Sequence, residues 1–171
     1  MTILVTGSSG FVAQSLIPKL EKLGFDVIGL DWKNGKHTKV IHNIAKPLEI
    51  DDDVDIIIHL AARLEHERCS KEEFFKTNVD GTEQLLNLAN SKNAYFIYVS
   101  TTAVYGSPES PITENTSVDP NGAYALTKWN GEKICKKYEN NGLEVTIIRS
   151  GPILGQGRLG IYKTIFKNLQ D

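Results

Sequence analysis

The stretch TILVTGSSGFVA, residues 2–13, constrains the fold more than any other part of the chain. Strand-forming residues run straight into a turn with glycines at 7 and 10, and a helical pattern opens at once behind it. Strand, glycine turn and helix in that order form the first unit of a parallel α/β sheet. The rest of the chain repeats the alternation. Strand-like runs fall at 2–6, 26–30, 39–42, 55–60, 94–99 and 144–149, and helical patterns at about 10–23, 71–92, 121–141 and 159–169. The apolar runs at 56–58 and 96–99 predict strands buried on both faces. The expected fold is therefore α/β: a doubly wound parallel sheet (Rossmann fold) of about six strands with helices on both faces.

Local signals set the element ends. Gly24 and Gly142 stand where a left-handed helix C-cap belongs. Ser70 with Glu73 reads as a capping box opening the longest helix. Pro18 conflicts with the first helix, since an interior proline removes a hydrogen bond and can cost about 3 kcal/mol. It predicts a bend, or a change of direction near residue 14.

Bulk properties exclude some functions. A chain of 171 residues, 40% apolar, suits one domain over 1–171. A net charge of −2 offers no footing for nucleic acid or an anionic membrane. Lys133, Lys136 and Lys137 are flanked by glutamates and read as a solvated helix face. Cys69 and Cys135 lack metal-ligand spacing and are expected to be reduced thiols; no metal is expected. No apolar run approaches the ~20 residues of a membrane span, and the start shows no signal-peptide pattern. The expectation is a soluble, cytoplasmic chain without internal repeats.

The glycine turn carries the first functional signal. Gly7 and Gly10 let the backbone approach a pyrophosphate, and the following helix points its N–H groups and positive end at that charge. Ala13 takes the third small position, where helix packs on strand. The second strand ends at Asp31, 21 residues after Gly10, where an acidic side chain would bond an adenosine ribose. A carboxylate there repels a 2′-phosphate and favours NAD. Lys33, two residues on, leaves room for the phosphorylated form.

With these pieces in hand, the chain resembles the extended short-chain dehydrogenase/reductase family, in particular its NAD-dependent epimerase/dehydratase group (UDP-glucose 4-epimerase-like). The matching segments are TGSSGFVA (6–13), Asp31, HLAA (59–62), NVDGT (78–82), STTAVYG (100–106), YALTK (124–128) and RSGPILGQG (149–157). The resemblance implies cofactor contacts at Gly7, Ser9, Gly10, Phe11 and Val12, and along Leu60, Ala61 and Ala62. It implies that Pro152 lies near the nicotinamide. Asn43 and Ile44 fall where the family often has an aspartate and an apolar residue beside adenine. Asn78, counted with the cofactor-site residues, would be mainly architectural and bridge strand ends.

Tyr124 and Lys128, at i and i+4, lie on one helix face. Spacing alone leaves two readings open: a core tyrosine with a snorkelling lysine, or a proton-transfer pair. A free phenol has a pKa near ~10. A neighbouring ammonium and an oxidised nicotinamide would favour the phenolate. The resemblance implies the second reading, with Lys128 also bonding the nicotinamide ribose and Thr101 as the hydroxyl that orients the reacting oxygen. Related 4,6-dehydratases usually carry acidic residues after that threonine; here Thr102 and Ala103 follow. The likeness is thus to epimerases or alcohol dehydrogenases, and it implies hydride transfer at a secondary alcohol of a nucleotide-sugar. A non-catalytic NAD-sensing module and a reductase of non-sugar substrates stay open.

Family members are longer than 171 residues, so the resemblance implies a substrate-gripping part beyond this sequence. Helix 71–92 carries two apolar stripes, Phe74, Gly81, Leu85, Leu88 and Phe75, Val79, Leu86, Ala89. They read either as one wide core face or as a core face plus a homodimer face shared with helix 121–141.

Overall fold

The fold comes from a computed structural model, which describes residues 1–64, 67, 69–109, 111–155 and 158. Six parallel strands form one sheet in the order β3-β2-β1-β4-β5-β6. They are β1 (Thr2–Thr6), β2 (Asp26–Asp31), β3 (Val40–Ile41), β4 (Ile56–His59), β5 (Tyr95–Thr101) and β6 (Val145–Ser150). The order reverses between β1 and β4. Chains leaving the two strands diverge there, so a crevice opens at their carboxyl ends. Leu4 of β1 registers with Ile28 on one side and Ile57 on the other, which holds the strand ends level.

Helices cover both faces. Helix α1 (Phe11–Lys22) packs Ala13 and Ile17 on Ile3, Val5 and Val27. On the opposite face, α3 (Gly81–Lys92) and α4 (Gly122–Asn140) pack Leu85, Leu86, Ala89 and Cys135 over Leu4, Leu30, Ile57, Phe96 and Tyr98. The expected helix at 159–169 lies outside the described residues.

Helix α1 runs through Pro18 to Lys22, and both Pro18 and Gln14, whose carbonyl loses its bonding partner, are exposed. Two expectations need correction. Strands β4 and β5 are fully buried only at alternate positions, with Tyr95, Ile97 and Val99 half-buried. The predicted helix 71–92 is two helices, α2 (Lys71–Phe75) and α3, joined by a π-turn over Lys76–Asp80. The Gly81 N–H bonds the Lys76 carbonyl there, an i to i+5 link. The extra residue shifts the helix phase. It buries Leu86 and Ala89 with the core stripe and leaves Phe75 36% exposed, so the second stripe is not one continuous outer face.

The end signals hold. Ser70 and Glu73 form the reciprocal capping box. Gly24 (φ +87°) and Gly142 (φ +101°) take left-handed conformations after α1 and α4. Among the described residues, no helix is long and apolar enough to cross a membrane.

Candidate active site

The carboxyl ends of the strands enclose a cavity of about 740 Å³. Its floor is the glycine turn. Gly7 has φ +70°, and a side chain there would put a Cβ 2.9 Å from the Ala61 amide nitrogen. Only glycine lets the turn lie this close to the segment leaving β4. The Gly10 N–H bonds the Gly7 carbonyl at 2.8 Å and tightens the turn. No side chain caps the N-terminus of α1, and its first turn holds no acidic residue. Its leading N–H groups therefore face the cavity with the positive end of the helix dipole.

Every predicted site residue except Asn78 lines this cavity. Ser9, Phe11 and Val12 continue the floor, while Leu60, Ala61 and Ala62 pass along one wall. Asp31 sits at one end. Its Oδ2 accepts from the Ser9 amide at 3.0 Å and the Ser9 hydroxyl at 2.8 Å. Trp32 follows it, 65% exposed, with Lys33 and Arg63 each within 6 Å of its ring. Asn43 and Ile44 stand nearby. Asn43 Oδ1 accepts from the Ala45 amide, so one of its lone pairs is already engaged. Ile44 packs against Gly81, where a Cβ would come 2.9 Å from Ile44 Cγ1.

Thr101, Tyr124, Lys128 and Pro152 line the other end. Thr101 ends β5, and its Oγ1 accepts from the Ala103 amide at 3.2 Å, capping the short turn Thr102–Tyr105. Tyr124 and Lys128 both project from α4 to the same cavity. Burial pushes the Lys128 ammonium down from its usual 10.5 to about 7; the nearby Cys135 and Glu132 act in the opposite sense. The cation expected beside Tyr124 is thus only partly charged at neutral pH in the ligand-free protein. The Cys135 thiol, pushed up to about 12 chiefly by burial, is not a nucleophile at neutral pH.

Asn78 lies behind the wall, 1% exposed. Its side chain grips the Arg63 backbone from both sides, accepting from the amide at 2.7 Å and donating to the carbonyl at 3.1 Å. It also donates to Thr127 Oγ1, which in turn donates to the Tyr124 carbonyl. Asn78 holds the wall segment at Arg63 and the start of α4 without lining the cavity.

A buried relay that the sequence does not reveal reaches Asn78 from β1. The Ala61 N–H donates to Thr6 Oγ1. Thr6 Oγ1 lies 2.8 Å from His59 Nδ1, and His59 Nε2 lies 3.0 Å from Thr82 Oγ1. Thr82 donates to the Asn78 carbonyl at 2.8 Å. Since the Thr82 hydrogen is committed there, its oxygen accepts from His59 Nε2–H. Nδ1 is then the acceptor for Thr6, and the imidazole is neutral in one tautomer. Burial, and then the Lys128 charge, hold His59 well below the usual imidazole range, in agreement with that state.

A second network lies under Thr101. Glu132, 1% exposed, accepts two bonds from Arg149 Nε and one, at 2.7 Å, from Arg149 Nη2. It also accepts from Ser100 Oγ at 2.5 Å, and Arg149 Nη1 donates to the Tyr105 hydroxyl at 2.7 Å. Pairing of Ser100 with Arg149 across β5 and β6 brings these groups together. The Glu132 carboxylate raises the Arg149 guanidinium further and keeps it charged.

With the fold and cavity described, comparison with known proteins is decisive. Residues 3–168 match the model of the NAD dependent epimerase/dehydratase family. The chain belongs to that family. A UDP-glucose 4-epimerase of Lactobacillus helveticus is 31% identical over 91% of this chain and 52% of its own length. A UDP-glucuronic acid decarboxylase of Arabidopsis thaliana is 33% identical over 87% of this chain and 39% of its own. A UDP-glucuronic acid 4-epimerase from Bacillus cereus, solved in complex with NAD, superposes with a TM-score of 0.82 at 26% identity, covering 99% of this chain and 63% of that one. The chain spans about half the length of the curated relatives it matches.

Two outcomes test the buried groups. Thr82→Val should cost about 1–3 kcal/mol by stranding the His59 N–H and the Asn78 carbonyl, and Thr82→Ser should recover most of it in urea denaturation. Lys128→Met should stabilise the ligand-free protein most at and below pH 7, where the folded wild type must hold a charged amine inside. Above pH 7 the folded state sheds that proton while the unfolded chain keeps it up to about 10.5. The unfolded state then binds more protons, wild-type stability rises with pH, and the variant's advantage narrows. Thermal melts from pH 6 to 9 check this; an advantage that is flat or grows with pH contradicts the buried-amine account.

Proposed function

We propose that residues 1–171 are the NAD-binding part of a nucleotide-sugar epimerase or dehydrogenase, working by reversible hydride transfer at a secondary alcohol. One observation carries the reading: the glycine turn, Asp31, Thr101, Tyr124 and Lys128 line a single cavity at the point where strand order reverses. The residues fit a dinucleotide. The turn has no room for a side chain at position 7, the helix end above it is uncapped, and a carboxylate stands at the far end. Family membership and the NAD and UDP-sugar complexes of solved relatives support the same assignment.

NAD, when bound, supplies the hydride acceptor. This chain's residues do the rest. The N–H groups of α1 and the glycine turn bind the pyrophosphate. Asp31, which now accepts from Ser9, would accept from the ribose hydroxyls. Tyr124 removes the proton of the substrate hydroxyl at its phenolic oxygen, and Lys128 holds that oxygen's charge. Thr101 Oγ1 already accepts from Ala103, so its hydroxyl hydrogen is the group left to donate to the reacting oxygen. Thr102 and Ala103 offer no acid or base for eliminating water, which favours oxidation and reduction at one carbon over dehydration.

The 171-residue chain should bind NAD saturably in calorimetry, at least tenfold more weakly after Asp31→Ala, and prefer it to NADP. Mixed with NAD and UDP-galactose it should form NADH slowly, a signal lost in Tyr124→Phe. A preference for NADP rejects the cofactor assignment. NAD binding with no NADH from any UDP-sugar supports the sensing-module alternative, and an undiminished signal in Tyr124→Phe removes Tyr124 as the base.

Phe75 of α2 and Leu126 of α4, both more than a third exposed on helices that pack together, favour a homodimer through this face. Light scattering at high concentration should give twice the chain mass, falling to the monomer in Leu126→Glu; a monomeric wild type contradicts it.

A further inference from the structure

Lys128 is buried to 2% of its surface, yet among the described residues no carboxylate lies within ion-pair distance of it. Glu132, one turn along α4, is already engaged by Arg149 and Ser100. What the amine does meet is an aromatic face: Lys128 Nζ lies 4.0 Å from the ring centroid of Tyr98. This is well inside the range of a cation–π contact, and such contacts strengthen when water is excluded. Tyr98 is fully buried in β5. Its hydroxyl donates to the Lys128 backbone carbonyl at 3.3 Å. The ring reaches that carbonyl because α4 has glycine at 131, where a Cβ would stand 2.7 Å from Tyr98 Cζ. The His59 imidazole packs 5.6 Å from the same ring.

We propose that Tyr98 is a positioning residue of the cofactor site: its ring face seats the Lys128 ammonium, and its hydroxyl ties that seat to the catalytic helix. The proposal rests on the reading of the cavity as an NAD site. The titratable groups that act on the amine are Glu132 and Cys135 on α4, Tyr98 on β5 and His59 on β4; Tyr124 lines the same cavity, and Arg149 on β6 is paired with Glu132. His59 is neutral, the Cys135 thiol is protonated and Glu132 is paired. Burial brings the amine to about 7 against the opposing influence of Cys135 and Glu132, and the face of Tyr98 is the contact the amine itself makes, 4.0 Å away. Without that face the lysine would hold its proton less readily at neutral pH, and with it the charge that Tyr124 needs.

The test separates the ring's electrostatics from its shape. Position 98 is changed to phenylalanine and then to 4-fluoro-, 3,5-difluoro- and 3,4,5-trifluorophenylalanine, which have nearly the same volume but progressively weaker ring faces. The Lys128 Cε and Nζ signals are followed by NMR against pH in the full chain, without cofactor. Tyr98→Phe should titrate near wild type, and the midpoint should fall with each fluorine, to about 6 in the trifluoro variant. NAD affinity by calorimetry at pH 7 should fall in step, by about fivefold across the series, with the differences narrowing at pH 6, where the amine stays charged longer in every variant. A midpoint indifferent to fluorine overturns the proposal, as does a midpoint that moves while NAD affinity does not follow. If the wild type itself fails to bind NAD, the cofactor assignment falls, and the titration series alone still decides whether Tyr98 seats the charge.

Discussion

The neutral imidazole of His59 is the junction on which the site's geometry depends. Each of its nitrogens is committed to a threonine, Thr6 on β1 and Thr82 on α3. With Thr82 donating to the Asn78 carbonyl, His59 Nε2 donates to Thr82 and Nδ1 accepts from Thr6. The relay ties the strand that feeds the glycine turn to the π-turn that carries Asn78. Asn78 then fixes the Arg63 backbone and, through Thr127, the first turn of α4. A buried network in which every group is satisfied is rigid, since any rearrangement strands a polar atom in the interior. The two ends of the cavity are thereby held at one separation.

The electrostatic design opposes the folding design at one residue. A buried lysine destabilises the ligand-free protein, and its charge is only half retained near neutrality. A binding site for an anionic dinucleotide and a phenolate gains from that cation. The fold places Tyr98 beneath it and keeps Glu132 for Arg149, so the amine stays uncommitted to a carboxylate and available to the cavity. The Glu132–Arg149 pair serves a separate purpose. It anchors β6 and Tyr105 to α4, and so holds the turn that begins at Thr101. Desolvation is concentrated at Lys128, which lines the cavity.

Much of this was legible in the residues. The bounds of β1, the glycine turn, Asp31 at the end of β2, the capping box at Ser70 and the left-handed glycines at 24 and 142 depend on interactions a few residues long. Local steric rules suffice for them. Pro18 sits inside α1 on its exposed side, with Gln14 exposed one turn before it. The helix at 71–92 misled because a single i to i+5 link changes its phase without a sequence mark. Apolar runs in β4 and β5 predicted burial on both faces, whereas burial of Ile56, Ile58 and Ile97 depends on what covers each face of the sheet.

The sequence by itself determined the order of elements, the turn that only glycine can make, and the chemical types brought to the cavity: carboxylate, hydroxyl, phenol and amine. Only the tertiary structure decided their states. It paired Glu132 with Arg149, 17 residues away, fixed the His59 tautomer through bonds spanning 53 and 23 residues, and seated Lys128 on Tyr98, 30 residues earlier. The reason is physical. Backbone conformation follows from neighbours along the chain, whereas protonation and side-chain direction follow from dielectric, burial and partners that meet only when the sheet closes.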